Sequence, residues 1–261
     1  MTLVISVRVP DGIAIGADSL STTHSNLRFK GNIETKCPKC GKRILLKDLP
    51  GPPIRIPVAN FPTAQKLFPI RENFGVGFYG MSIINGITIY NHIKSNNKKW
   101  ENFTEVSQLA DALGKYFHNE LKKQIKDIEK APDSFIPLGF QLVGFDEESK
   151  PWGQTVTVYL GKNIKTEVKD KIGCSFGGEG YVVKKLWELR KEMGKGALYA
   201  SFSLQDAVEY IDFLIGTTAK FQKFANMIPT VSEPVDIAVI TGYSGFKWIK
   251  SKGYIKILEK N

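Results

Sequence analysis

Residues 2–19 read TLVISVRVPDGIAIGADS, with two β-branched apolar runs on either side of a turn sequence. The first run covers residues 3–9, Pro10-Asp11-Gly12 follows it, and the second run covers residues 13–17. β-Branched residues favour extended strands, whereas Pro, Asp and Gly favour tight turns. The stretch therefore predicts a β-hairpin at the start of the chain.

Beyond this hairpin, groups of strands alternate with pairs of helices. Alternating or β-branched runs predict strands at 66–70, 74–80, 138–145, 155–160, 164–168, 235–241, 246–249 and 254–258. Apolar residues at helical spacing predict helices at 82–95, 104–129, 179–193 and 204–226, the last preceded by Ser203 and Asp206 in capping-box positions. This order favours an α+β fold, with two antiparallel sheets stacked face to face and helices on both outer sides, over a doubly wound sheet.

The chain is long enough and apolar enough to fold as one domain. It has 261 residues, of which 42% are hydrophobic and 24% charged, so disorder is excluded as its main description. Residues 24–64 are polar and show little periodicity, which indicates an inserted or appended loop. We expect a single domain over 1–261 with the inserted segment at about 31–64. Because no run approaches about 20 apolar residues and the start lacks a signal-peptide pattern, we expect a cytoplasmic protein with no membrane partner.

The net charge is concentrated in the inserted segment. Lys and Arg total 36 against 26 for Asp and Glu, a net charge of +10 that raises the question of a nucleic-acid partner. Between Arg28 and Asp48, seven basic residues oppose two acidic ones, a local net charge of +5. Half of the excess therefore lies in one segment, which favours a docking surface for a partner or a neighbouring subunit over general nucleic-acid binding.

Thr2 is a candidate nucleophile. After removal of Met1, its free α-amine, with an ordinary pKa of about 7.7–8.0, would serve as the general base for the neighbouring hydroxyl. Removal of an initiator methionine needs a small second residue, and Thr qualifies. Many proteins carry Thr at this position, so the pattern around it carries the argument.

That pattern, in residues 2–7 and 11–19, resembles the opening of proteasome β-type subunits, which are N-terminal nucleophile hydrolases. Asp18 lies 16 residues after Thr2, as the catalytic aspartate does in that family. A carboxylate at the end of the second hairpin strand can fold back beside the nucleophile and hold a lysine in its charged form. The resemblance therefore assigns Asp18 to the candidate site.

The family's lysine and glycine motifs are present after the inserted segment. Lys66 begins the sequence Lys66-Leu67-Phe68-Pro69-Ile70, which fits the motif of the catalytic lysine. Gly80 follows 14 residues later, at the family's position for the glycine whose backbone N–H faces the oxyanion. The spacings on both sides of the insertion thus agree with the family.

The resemblance extends to residues 203–208 and 235–241, and it implies both a fold and an activity. The fold would be a four-layer αββα sandwich, the N-terminal nucleophile hydrolase fold, with identical subunits assembled into a ring that encloses the N-terminal sites. The activity would be that of a threonine-type endopeptidase that needs no cofactor for catalysis. Its substrate would be a peptide or an unfolded protein, and an ATP-dependent unfoldase is a candidate partner.

The chain departs from the family in the residues that support the nucleophile. Where the family has Gly-Ser-Gly, this chain reads FGGEG over 176–180, with Ser175 displaced. Of the family's Asp-x-x-Ser pair only Ser232 is present, and Pro229 stands where the aspartate is expected. These departures favour a catalytically inactive scaffold of the same fold as the alternative, and a different amide hydrolase of the N-terminal nucleophile type also stays open.

The sequence CPKCGK over 37–42 matches a zinc knuckle, with Cys37 and Cys40 as the candidate ligands. A structural zinc site needs four ligands and a second Cys-x-x-Cys is absent, so His24, Cys174 or a second subunit would have to complete it. A structural zinc and a degenerate knuckle with free thiols therefore both stay open. A nucleic-acid-binding protein with a zinc-knuckle insertion is a further alternative.

Overall fold

The computed structural model describes residues 2–27, 33–36, 39–46, 54–146, 150–196, 198–225 and 227–252. They form two compact units, one made of Met1–Ser21 with Phe61–Asn261 and the other of Thr22–Asn60. The second unit overlaps the insertion expected at about 31–64 and begins several residues earlier.

The strands in chain order are β1 (Leu3–Val9), β2 (Gly12–Ala17), β3 (Ser21–Leu27), β4 (Ile33–Lys36), β5 (Arg43–Leu46), β6 (Ile54–Phe61), β7 (Leu67–Ile70), β8 (Phe74–Gly80), β9 (Ile83–Ile84), β10 (Ile87–Thr88), β11 (Leu138–Gly144), β12 (Gln154–Leu160), β13 (Ile164–Lys169), β14 (Gly173–Gly178), β15 (Asp236–Thr241) and β16 (Gly245–Lys250). The α-helices are α1 (Ile89–Ser95), α2 (Asn97–Trp100), α3 (Val106–Gln124), α4 (Tyr181–Glu192) and α5 (Leu204–Phe224).

Two five-stranded antiparallel sheets build the larger unit. One has the strand order β14-β1-β2-β15-β16, and the other has the order β13-β12-β11-β8-β7. In the first sheet, β1 pairs on one side with β2 and on the other with β14, so that Leu3 lies opposite Gly178. The first residues of the chain therefore lie in the interior of a sheet rather than at its edge.

Three apolar clusters divide this unit into layers. Side chains of both sheets, among them Val4, Ile15 and Val143, pack against one another in one cluster. A second cluster joins α1, α2 and α3 to β7, β8, β11 and β12, and a third joins α4 and α5 to β1 and β15. Because successive side chains of a strand point to opposite faces, each sheet contributes to two clusters. The larger unit is thus an α+β sandwich with helices packed on the outer faces of both sheets.

Several sequence predictions are confirmed. The hairpin is present, with Val9 opposite Gly12. The predicted capping box of Ser203 and Asp206 is also present at the start of α5. There the Ser203 side chain accepts the Asp206 backbone N–H, and the Asp206 side chain accepts the Ser203 N–H. These elements depend on local chemistry, which a sequence shows directly.

The helix predicted over 82–95 is wrong in its first half, since only Ile89–Ser95 is helical. Residues 83–88 form the hairpin β9–β10, with Ile84 opposite Ile87. Asn85 and Gly86 link the strands with φ angles of 51° and 79°, the positive values that an Asn-Gly hairpin turn uses. The turn chemistry thus overrides the helical spacing of the isoleucines.

Two further expectations need correction and one lies outside the described residues. β14 was not predicted, because its glycine-rich sequence has no strand pattern and it pairs with β1 through tertiary structure. The stretch 24–64 was expected to be loop, but it contains β4 and β5, which pair with each other, and most of β3 and β6, which also pair. The strand predicted at 254–258 lies outside the described residues.

Candidate active site

A buried ion pair joins the chain segments that precede and follow the smaller unit. Lys66 directly precedes β7, and its Nζ donates to both carboxylate oxygens of Asp18, at 3.0 and 3.1 Å, and to the carbonyl of Leu20. The side chains are 2% and 0% exposed. The ammonium group therefore donates three hydrogen bonds to protein oxygens, which compensates for the loss of water around a buried charge.

Asp18 also binds the start of the chain. Its Oδ1 accepts the backbone N–H of Leu3 at 2.9 Å, and its own N–H donates to the carbonyl of Leu3 at 3.2 Å. Its Oδ2 accepts the N–H of Leu20 at 2.8 Å. One carboxylate thus holds both Lys66 and the residue next to Thr2. The predicted residues Asp18 and Lys66 therefore lie beside the first residue of β1, which directly follows Thr2.

Thr2 is itself enclosed, with 2% of its surface exposed. Its carbonyl accepts the N–H of Glu179 at 2.8 Å, which extends the β1–β14 ladder by one bond. Gly178 lies against the same carbonyl, because a Cβ added there would lie 1.8 Å from the Thr2 oxygen. Gly178 also has a φ of +87°, a conformation that favours glycine. The end of β14 therefore fixes the backbone of Thr2.

Gly80 ends β8 close to this point. Its φ is +99°, and a Cβ on it would lie 2.2 Å from the carbonyl oxygen of Pro137, so only glycine fits. The preceding residue, Tyr79, packs against Gly177 and Gly178: its ring and its Cβ lie 2.2 and 3.1 Å from the Cβ positions that those glycines lack. Gly178 thus contacts both the carbonyl of Thr2 and Tyr79, the residue before Gly80.

Two opposing effects act on Lys66. Burial lowers the pKa of its ammonium group, and the negative charge and hydrogen bonds of Asp18 raise that pKa in part. A second lysine, Lys252, lowers the pKa of Lys66 further. The result is a lysine that gives up its proton more readily than an exposed one while remaining paired with a carboxylate.

The serines at the altered positions have different surroundings. Ser175 accepts a hydrogen bond from Nη1 of Arg8 at 3.2 Å, so its hydroxyl belongs to the contacts between β14 and β1. Ser232 donates its N–H to Oδ2 of Asp18 at 3.4 Å and accepts the N–H of Ser19 at 3.3 Å. The Ser232 hydroxyl is buried and has no hydrogen-bond partner among the described residues. Ser232 therefore contributes to the Asp18 site mainly through its backbone.

The structure adds residues that the sequence reasoning missed. Oε1 of Gln222, on α5, accepts the backbone N–H groups of Thr230 and Val231 at 2.8 and 2.9 Å and so shapes the segment that leads to Ser232. Asp236 and Lys252 form another buried ion pair. An aspartate inside the apolar run 235–241 was the one available signal, because buried carboxylates are rare without a partner.

The cysteines do not assemble a metal centre within the described ranges. Cys37 lies outside them, and Cys40 is exposed with a free thiol. No group of three or more His, Cys, Asp or Glu side chains that could hold a metal occurs among the residues that the structure describes. Zinc binding at Cys37 and Cys40 stays a prediction, which metal analysis of purified protein would test with Cys37→Ser as the control.

No protein-family model and no curated protein matches the sequence. In the part of the chain that the structure describes, no helix has the length and apolar character needed to cross a membrane.

Proposed function

We propose that the chain is an N-terminal nucleophile hydrolase of the proteasome β-subunit type, a threonine peptidase with Thr2 as its nucleophile. The observation that carries the proposal is the buried Asp18–Lys66 pair, whose carboxylate also accepts the N–H of Leu3 at 2.9 Å. A buried ion pair contributes little to stability compared with apolar side chains of similar size, so its place beside a hydroxyl residue at the chain start favours a catalytic role.

The architecture supports the same assignment. Two antiparallel five-stranded sheets pack face to face, and helices lie on both outer faces, as the resemblance to proteasome β-subunits implies. The resemblance implies the four-layer αββα fold, in which the nucleophile would stand at the start of the first strand. Fold alone does not define activity, and the proposal therefore depends on the site residues.

The proposed mechanism begins with removal of Met1, which gives Thr2 a free α-amine. That amine takes the hydroxyl proton as Thr2 Oγ attacks the peptide carbonyl, and the positive charge of Lys66 stabilises the developing negative charge on Oγ. Asp18 orients Lys66, and the N–H of Gly80 stabilises the oxyanion. The amine returns the proton to the leaving amino group, and water then hydrolyses the resulting ester to regenerate Thr2.

The proposal extends to the substrate and the assembly. The resemblance to proteasome β-subunits implies that the substrate class is a peptide or an unfolded protein. Identical subunits in a ring would limit access to the sites, and an ATP-dependent unfoldase would then deliver folded substrates.

Replacement of the nucleophile tests the proposal directly. We expect Thr2→Ala to lose peptide hydrolysis by about 10³-fold or more, because the step that forms the covalent intermediate is removed. We also expect loss of labelling by a peptide electrophile that bonds both the hydroxyl oxygen and the α-amine. Turnover of a peptide library, intact-mass measurement of the labelled protein and thermal unfolding would be recorded together.

Thr166→Ala is the matched control, since Thr166 is exposed on β13 and should keep both turnover and labelling. Unchanged turnover in Thr2→Ala would overturn the mechanism, and so would active protein that retains Met1. A folded wild-type protein that neither hydrolyses peptides nor reacts with the electrophile would favour the inactive scaffold instead.

A further inference from the structure

A second buried lysine–aspartate pair lies beside the Asp18–Lys66 pair. Nζ of Lys252 lies 2.6 Å from Oδ2 of Asp236, and the backbone N–H of Lys252 donates to Oδ1 of the same carboxylate at 3.0 Å. The two side chains are 4% and 0% exposed. The carboxylate of Asp236 therefore binds both the side chain and the backbone N–H of Lys252, which holds Lys252 beside the start of β15.

The two pairs are adjacent through the sheet. Asp236 begins β15 and lies opposite Ala17 of β2, the residue immediately before Asp18. Both carboxylates therefore lie at the same end of the sheet, Asp18 just after β2 and Asp236 at the start of the antiparallel strand β15. The charged groups that act on Lys66 are the carboxylate of Asp18, with which it pairs, and the ammonium of Lys252, which pairs with Asp236.

Lys252 also contacts the segment that delivers Lys66. Its Nζ donates to the carbonyl of Ala64 at 2.7 Å, two residues before Lys66. The N–H of Ala64 donates to the carbonyl of Ser19 at 2.9 Å, and the carbonyl of Lys66 accepts the N–H of Phe78 at 3.1 Å. Residues 64–66 are therefore held on three sides, and Lys252 supplies one of the three contacts.

A buried lysine is less favourable for stability at this position than an apolar side chain that would fill the same space. Burial of an ammonium and a carboxylate carries a large desolvation penalty, and apolar side chains of similar size would usually stabilise the fold as well. An apolar side chain could neither pair with a carboxylate nor donate a hydrogen bond to a backbone carbonyl, and the Lys252 ammonium does both. It also places a positive charge where it acts on Lys66.

We propose that Lys252 is a positioning residue for Lys66: it ties the carbonyl of Ala64 to Asp236 and so fixes Lys66 beside Asp18. This inference rests on the proposed peptidase function. Its consequence is that the segment after β16, far from Thr2 in sequence, sets the geometry of the catalytic lysine.

Point variants of the full-length protein test the inference. Lys252→Met removes the contact with Ala64 and leaves Asp236 without its partner, so the double variant Asp236→Asn/Lys252→Met is made alongside it to keep the fold free of an unpaired buried charge. Lys250→Met is the matched control, because Lys250 forms an exposed ion pair with Asp212 at 2.8 Å only two residues away.

The first readout separates kcat from KM. We expect both Lys252 variants to lower kcat about tenfold or more, with KM and thermal unfolding of the double variant close to wild type, because misplacement of a catalytic group acts on the chemical step. We expect Lys250→Met to leave kcat and KM unchanged. Equal kcat values in the double variant and wild type would overturn the inference.

The second readout does not depend on activity. We expect hydrogen exchange at the amides of Ala64 and Phe78 to become faster in both Lys252 variants and not in Lys250→Met, because these amides report the anchoring of residues 64–66. A wild-type protein that is inactive and unlabelled at Thr2 overturns the proposed function alone, whereas unchanged exchange at both amides overturns the positioning role of Lys252.

Discussion

At the scale of single residues, Lys66 shows how much structure one charge can organise. It is among the largest fully buried side chains of the protein, and its ammonium group brings Asp18 and Leu20 to one point. The resemblance to proteasome β-subunits predicted Thr2, Asp18 and Lys66 as one group, through the spacing of Thr2 and Asp18 and the motif that begins at Lys66. No local pattern could identify Lys252, because its partners Ala64 and Asp236 are distant in the chain.

Burial of the Cys174 thiol should make the free energy of unfolding depend on pH. Its side chain packs beside Tyr199, and burial raises the pKa of the thiol from 9.0 to about 12. Below about pH 9 the thiol keeps its proton in both states. Between about pH 9 and about 12 the unfolded chain releases the proton and the folded chain keeps it, so the free energy of unfolding falls as pH rises.

We expect this fall to depend on Cys174. Because the side chain is only partly buried, wild-type protein should lose at most about 1 kcal/mol more than Cys174→Val per pH unit above pH 9. Urea unfolding of both proteins at pH 8 and pH 10 measures the difference. Parallel pH dependence in the two proteins would show that the thiol does not titrate differently on folding.

At the scale of elements, the sequence predicts those helices, strands and turns whose formation depends on their own residues. The first hairpin and the capping box before α5 follow from their own residues, and both are present. Asn85-Gly86 is a sequence typical of a hairpin turn, but the isoleucines around it also match a helical stripe, so the two local patterns at this place conflict. β14 could not be predicted in this way, since its pairing with β1 is a tertiary contact.

The end of β14 gives an element-scale prediction. A methyl group at Gly178 would collide with the Thr2 carbonyl, so we expect Gly178→Ala to displace Thr2 and, under the proposed function, to reduce peptide hydrolysis about 100-fold or more. Gly173→Ala is the control on the same strand, because Gly173 also has a positive φ but a Cβ there meets no atom closer than 3.8 Å. Turnover assays and thermal unfolding of both variants separate the displacement of Thr2 from a general loss of stability caused by a side chain at a positive φ. Equal activity losses in the two variants would contradict the prediction.

At the scale of the whole molecule, the two units are built on different principles. The larger unit buries three apolar clusters around two five-stranded sheets. The smaller unit contains two-stranded ladders, and its described lysines Lys36, Lys39 and Lys42 are exposed. The basic charge concentrated between Arg28 and Asp48 therefore includes solvent-accessible side chains, in keeping with the expected docking surface.

This difference predicts unequal local stability. Two-stranded ribbons are marginal without further packing, whereas strands in the middle of a five-stranded sheet open only with large parts of the core. We expect backbone amides of the β4–β5 ladder to exchange with solvent on the order of 100-fold faster than those of β1 and β2. Hydrogen exchange followed by mass spectrometry compares the two sets, and similar protection in both would contradict the prediction.

The enclosure of Thr2 has a consequence for anyone who produces or regulates this protein. The Thr2 carbonyl accepts the N–H of Glu179, and the β1 ladder starts at the next residue, so an extension in front of Thr2 adds residues before the paired ladder. Any such extension converts the α-amine of Thr2 into an amide, which cannot act as a base. Under the proposed function a tagged chain is a zymogen, and a tag that a processing protease removes directly before Thr2 would switch the enzyme on at a chosen moment.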